Sequence, residues 1–200
     1  MKKILVIGAS GTIGRAVVSA LSAWHEVIAV GKTRGALQAD ITRADSLHAL
    51  FERAGRVDAV VAAAGRVHFG PLAEMTPEQF QIGLHDKLLG QVQLALIGQH
   101  HLNDGGSITL TSGILGDEPL RSGANASTVN AALEGFARAA AIELPRGLRI
   151  NVVNPTVLTE SIERYDPLFR GFEPADAARV AQAYVRSVEG AQTGRVYRVW

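Results

Sequence analysis

The 200-residue sequence has no cysteine, so it has no disulfide framework, no thiolate metal site and no thiol nucleophile. It also lacks an excess of either charge: 20 lysines and arginines face 19 aspartates and glutamates, for a formal net charge of +1. No basic block follows the spacing of a phosphate backbone, which excludes nucleic acid as the main partner. Long hydrophobic runs are missing as well. The apolar stretch 59–64 falls far short of the roughly 20 residues that cross a bilayer, so no membrane partner is expected. Met1-Lys2-Lys3 and the apolar residues behind them reach Gly8 too soon to be a secretory leader. Aromatic residues are scarce at 6%, with three tyrosines. The chain does have 47% hydrophobic residues, enough for one sizeable core, and 21 glycines. The expectation is a single cytoplasmic domain spanning residues 1–200, with tight turns between packed layers.

Strand and helix patterns alternate along the chain. Lys3–Ile7 is a β-branched run closed by glycine, as in a strand buried on both faces. A helix is predicted over 15–24 and a strand over 26–30. Thr42 and Asp45 have capping-box spacing and open a helix to about Arg53. Residues 58–63 form a third buried strand. Thr76-Pro77-Glu78-Gln79 combines a Thr cap, an N-terminal Pro and a Gln at the third position, starting a helix to about His101. Asn103-Asp104-Gly105-Gly106 reads as a turn before a strand over 107–111. A helix over 128–144, a strand over 148–153, a helix over 174–188 and a strand over 195–199 complete the series. Such alternation predicts a Rossmann-type doubly wound parallel sheet in three α/β/α layers.

Gly8, Gly11 and Gly14 fall where the first strand turns into a helix. Glycine there permits positive φ and lets a pyrophosphate reach backbone N–H groups, while the helix N-terminus adds partial positive charge. Gly8-Ala9-Ser10-Gly11-Thr12 also approaches the G-x-S-x-G nucleophile elbow of hydrolases, but with Thr in fifth place and on the first strand. After the second strand, a site for NAD would carry an acid for the ribose 2′-hydroxyl. This chain has Lys32, Thr33 and Arg34 instead, which suit the 2′-phosphate of NADP(H).

With these features in place, the chain resembles the short-chain dehydrogenase/reductase family over nearly its whole length. The glycine loop is similar to the family's T-G-x-x-x-G-x-G, with Thr12 at the middle glycine. Asp40-Ile41 resembles the pair that contacts adenine, and Ala62-Ala63-Ala64-Gly65 resembles N-N-A-G without its asparagines. Gly70-Pro71-Leu72 through Phe80 is similar to the lead into the family's long fourth helix. Ser112 ends a strand, as the family's catalytic serine does. Asn154-Pro155-Thr156-Val157-Leu158-Thr159 is similar to N-P-G-x-x-x-T, which holds the nicotinamide amide. The resemblance assigns cofactor contacts to Gly8, Ser10, Gly11, Thr12, Ile13, Gly14, Asp40, Ile41, Ala63, Ala64, Gly65, Asn130, Pro155, Thr156, Val157 and Thr159, alongside Lys32, Thr33 and Arg34.

The resemblance breaks at the family's Y-x-x-x-K. Aligning Asn130-Ala131-Ala132-Leu133-Glu134-Gly135-Phe136 with K-A-A-L-x-G-F puts Ala126 at the tyrosine and Asn130 at the lysine. Lys87-Leu88-Leu89-Gly90 is similar to N-x-x-G, so Lys87 stands at the family's catalytic asparagine. Lysine and asparagine have therefore changed places, and Lys87 is expected to return the cation from another helix. Ser112 and Lys87 are the candidate catalytic residues, and Tyr165 or a water is the candidate proton source. No further residues have metal-ligand spacing, so no metal is expected. The pattern resembles an atypical short subgroup without the standard active-site pair. Two functions stay open: an NADP(H)-dependent oxidoreductase acting on a carbonyl or alcohol, and a dinucleotide-binding sensor or structural protein without turnover.

The helix over 128–144 carries an apolar face of Val129, Leu133, Phe136 and Ala140, a polar stripe of Asn130, Glu134 and Arg138, and a second apolar face of Ala131, Gly135, Ala139 and Ile142. The second face and the resemblance together imply a homo-oligomer, a dimer or tetramer. The segment 156–171 is short for the family's substrate lid.

Overall fold

A computed structural model describes all 200 residues. Seven parallel strands form one sheet in the order β3-β2-β1-β4-β5-β6-β7. They are β1 (Lys3–Ile7), β2 (Glu26–Gly31), β3 (Leu37–Gln38), β4 (Val57–Ala62), β5 (Leu102–Thr111), β6 (Arg149–Pro155) and β7 (Val196–Val199). Helices α1 (Thr12–Ser22) and α7 (Ala177–Glu189) cover one face, where Ile4, Val6, Val17, Leu21, Val61 and Tyr184 are packed together. Helices α2 (Ala44–Ala54), α4 (Gly90–Gly98) and α5 (Ala124–Glu143) cover the other, over Leu5, Ile7, Phe51, Val60, Leu94 and Leu133. This is the expected doubly wound α/β fold. β1 sits between β2 and β4, so the chain changes winding direction there and opens a crevice at the strand ends.

Local departures have physical causes. The two-residue β3 was not expected: Leu37 and Gln38 are too short a run for a periodicity to register, and they pair with Val30 and Gly31. The predicted capping box at Thr42 does not form. Thr42 bonds Asp40 through both its N–H and its hydroxyl, and Arg43 takes the N-cap without a side-chain bond. At Thr76 the box does form, with Gln79 N–H donating to Thr76 Oγ1 and Thr76 N–H to Gln79 Oε1. The expected turn at Asn103–Gly106 instead lies within β5. Val57 pairs with Leu102 but Ala59 with Ser107, so the turn-type residues bulge out of a continuing strand.

The long fourth helix is divided. α3 (Pro77–Gly83) leads into a π-helical segment, Leu84–Leu89, and then into α4. A π turn inserts one extra residue per turn and re-aims its side chains, a distortion that recurs at functional sites. Lys87 lies within it. α5 begins at Ala124, one turn before the predicted start, and a short α6 (Ile162–Tyr165) follows β6.

Candidate active site

The glycine loop has a geometry that only small residues permit. Gly8 has φ +80°, and a Cβ on it would collide with the Ala63 carbonyl oxygen. A Cβ on Gly14 would strike Gly8, so Gly14 serves the packing of α1 under the loop and is not part of the cleft wall. Gly11 is the extended N-cap of α1, which leaves the N–H groups at Thr12 and Ile13 at the head of the helix. A cavity of about 500 Å³ opens above, bounded by Gly8, Ser10, Gly11, Lys32, Asp40, Ile41 and Ala64.

A second cavity of about 400 Å³ adjoins it, walled by Thr12, Ile13, Lys87, Ser112, Ala126, Asn130, Pro155, Thr156 and Val157. Ala63 and Gly65 line both, so the two open on either side of one strand end. Most residues singled out from the sequence therefore meet in one crevice. Thr33, Arg34 and Thr159 lie outside both walls. Thr33 uses its carbonyl to accept from Gln38, and Arg34 is exposed on the loop beyond β2. Lys32 is engaged as well, its Nζ lying 2.8 Å from Asp40 Oδ2. Burial alone raises the Asp40 carboxyl, but hydrogen bonds from Lys32 and Thr42 outweigh it and hold the group at about 2. Asp40 is thus partly committed to fixing Lys32.

Lys87 crosses from the π segment to α5. Its Nζ donates to Asn130 Oδ1 at 2.7 Å and to the Ser112 carbonyl at 2.8 Å. Gly65 makes room for it: φ there is +128°, and a Cβ would lie 2.7–2.8 Å from the Lys87 Cα, Cβ and Cγ. Burial pulls the ammonium down from the ordinary lysine value of 10.5 to about 8. Ala126 faces the same cavity with only a methyl group.

Ser112 lines the cavity, but its hydroxyl proton is not directed there. Oγ donates to Glu134 Oε1 at 3.0 Å. Glu134 was not singled out as a site residue. The visible clue was the i, i+4 stripe Asn130, Glu134, Arg138, which reads as a solvated helix face, yet Asn130 and Glu134 are buried and only Arg138 is exposed. The outer end of the cavity is aromatic: Tyr165 packs 5.9 Å from Phe69 and 6.0 Å from Phe169, ring centre to ring centre.

Known proteins share this fold. A family model described as enoyl-(acyl carrier protein) reductase matches residues 13–196. An uncharacterised oxidoreductase of Methylorubrum extorquens is 30% identical over 184 residues, covering 80% of this chain and 74% of that protein. The crystal structure of the protein lin1944 from Listeria innocua superposes with a TM-score of 0.98 at 49% identity, covering all of both chains. A small-chain dehydrogenase crystallised in complex with NADPH superposes at 0.87 with 26% identity, over 98% of this chain and 95% of that one. The parallel sheet with its glycine turn, and a sequence match running through nearly every element of it, have one common explanation: this chain belongs to the short-chain dehydrogenase/reductase family.

Proposed function

We propose that the chain is an NADP(H)-binding member of this family, with an oxidoreductase site rebuilt around Lys87. The observation that carries the reading is the placement of the Lys87 ammonium between Asn130 Oδ1 and the Ser112 carbonyl, in the cavity that continues the glycine cleft. Ala126 and Asn130 take the places of the family's tyrosine and lysine, and Lys87 supplies the charge that Asn130 lacks.

The residues fit a dinucleotide. The glycine cleft leaves no room for a Cβ at Gly8 where a pyrophosphate needs backbone approach. Thr156, 5% exposed on the wall of the second cavity, has a hydroxyl with no hydrogen-bond partner, a vacancy suited to the carboxamide end of a nicotinamide. When bound, the cofactor supplies or accepts a hydride. Gly8, Ser10 and Gly11 hold the pyrophosphate, with Thr12 and Ile13 at the helix head. Asp40 and Ile41 border the adenine. Lys32 and Arg34 meet the 2′-phosphate, with the Thr33 hydroxyl beside them. Ala63, Ala64 and Gly65 form the floor, while Pro155 and Val157 place the nicotinamide. Lys87 and Asn130 bind the ribose hydroxyls, and Ser112 touches the substrate. Tyr165 or a water carries the proton.

A second reading, dinucleotide binding without turnover, is favoured by Ala126, which leaves only a methyl where the family has its phenol. NADPH fluorescence titration, followed by oxidation of bound NADPH against a panel of carbonyl compounds, decides between them. Binding with oxidation supports the enzyme, and binding without oxidation supports the sensor. No binding overturns both. We further propose that the chain forms a homo-oligomer, supported by the exposed apolar stripe on α5.

A further inference from the structure

Two donors converge on a single buried oxygen beside the second cavity. Ser112 Oγ and Asn154 Nδ2 both donate to Glu134 Oε1, at 3.0 Å and 2.7 Å. Ser112 is 2% exposed and Glu134 4%. The other carboxylate oxygen faces the Arg138 guanidinium at 3.6 Å. Asn154 is fixed at both ends: Nδ2 also donates to Asp117 Oδ2 at 2.8 Å, and Oδ1 accepts from Trp200 Nε1 at 3.3 Å. Turning the Asn154 amide over would break all three contacts. Its N–H groups therefore face the carboxylates, and Oε1 is kept as an acceptor.

A hydroxyl has one proton and two lone pairs. The Ser112 proton is held by a carboxylate, a charge-assisted bond about twice as strong as one to a neutral acceptor. A ligand ketone is a neutral acceptor and does not displace it. What Ser112 has left for the cavity is lone pairs.

We infer that Glu134 is a positioning residue that fixes Ser112 as an acceptor, so that the cavity takes a ligand hydroxyl at this point in preference to a bare ketone. The aromatic wall of Phe69, Tyr165 and Phe169 sets the rest of the class: an alcohol on an aryl or alicyclic frame. The inference rests on the reading of this cavity as the substrate end of an NADP(H) site.

The test compares 2-phenyl-2-propanol with acetophenone, and 1-methylcyclohexanol with cyclohexanone, by calorimetry on protein saturated with NADP⁺. A tertiary alcohol has no carbinol hydrogen to lose and NADP⁺ has no hydride to give, so neither probe reacts. The alcohol is expected to bind at least about fivefold more tightly than its ketone, the worth of one hydrogen bond. Glu134→Ala frees the serine proton, and the preference is expected to vanish. Glu134→Gln leaves a neutral amide acceptor no stronger than a ketone, and is expected to reduce the preference without abolishing it. If Glu134→Ala does not fold, Ser112→Ala replaces it, with the same loss expected. Ketone bound as tightly as alcohol, neither probe bound at millimolar concentration, or a preference that survives both alanine variants overturns the inference. Failure of the protein to bind NADPH at all overturns the nucleotide reading instead, so the two failures are distinguishable.

Discussion

The Lys87 ammonium and the Asn130 side-chain oxygen lie 2.7 Å apart across 43 positions of sequence, joining the π segment to α5. Removing the lysine side chain strips this oxygen and the Ser112 carbonyl of their donor. Lys87→Ala is expected to weaken NADPH binding about tenfold and to cost about 1–3 kcal/mol of stability, from fluorescence titration and denaturant unfolding. The double exchange Lys87→Asn with Asn130→Lys returns the cation to α5 and is expected to recover most of the affinity. NADPH affinity unchanged in Lys87→Ala defeats the idea that the exchange is compensatory.

The same ammonium sets a pH dependence. Burial lowers its folded value to about 8, against 10.5 in the open chain. Between those values the unfolded chain binds more protons, so this group's contribution to stability rises with pH from about 8 to 10.5. The charge available to a nucleotide changes in the opposite direction, because the folded protein loses its cation as pH passes about 8. NADPH affinity is expected to fall through that point. Lys87→Met is expected to give a flat profile there, measured by titration at a series of pH values.

The architecture was legible because buried parallel strands announce themselves as short β-branched runs, as in Lys3–Ile7. The glycine loop was legible because its conformation demands particular residues. The Asn103–Gly106 bulge was not, since Asn, Asp and Gly look the same in a turn and in a strand that swells between two ladder pairs. Lys87 was found through a swap of residue types between two motifs, a signal that survives without structure. Glu134 gave no such signal. A charged residue at i, i+4 from Asn130 reads as solvated, and only Ser112 and Asn154, brought in from β-strand ends, bury it.

The proposed preference for NADPH over NADH is expected to rest chiefly on Arg34. Lys32 is already paired with Asp40 at 2.8 Å, which reduces the charge it has to offer a 2′-phosphate. Arg34 stands exposed beyond β2. Arg34→Ala is expected to lower affinity for NADPH by about tenfold while leaving NADH within about twofold, as for loss of one charge-assisted bond. Lys32→Ala is expected to cost less. Equal dissociation constants for NADPH and NADH in the unmodified protein contradict the preference itself.

The outer face of α5 tests the proposed assembly. Ile142 is 87% exposed, and Ala131, Gly135 and Ala139 lie exposed along the same helix. Leu96 of α4 is also exposed and lines one groove with Ala139, so the apolar surface spans two neighbouring helices. Small residues allow a second helix to approach closely, and Ile142 supplies a bulky anchor. Ile142→Glu places a charge in that contact but meets only solvent in a monomer. Its unfolding free energy per subunit is therefore expected to stay within about 0.5 kcal/mol. Its solution mass, by sedimentation or light scattering, is expected to drop from a multiple of 21.2 kDa to the single-chain value. A single-chain mass in the unmodified protein removes the interface, and an oligomer that survives Ile142→Glu moves it to another face.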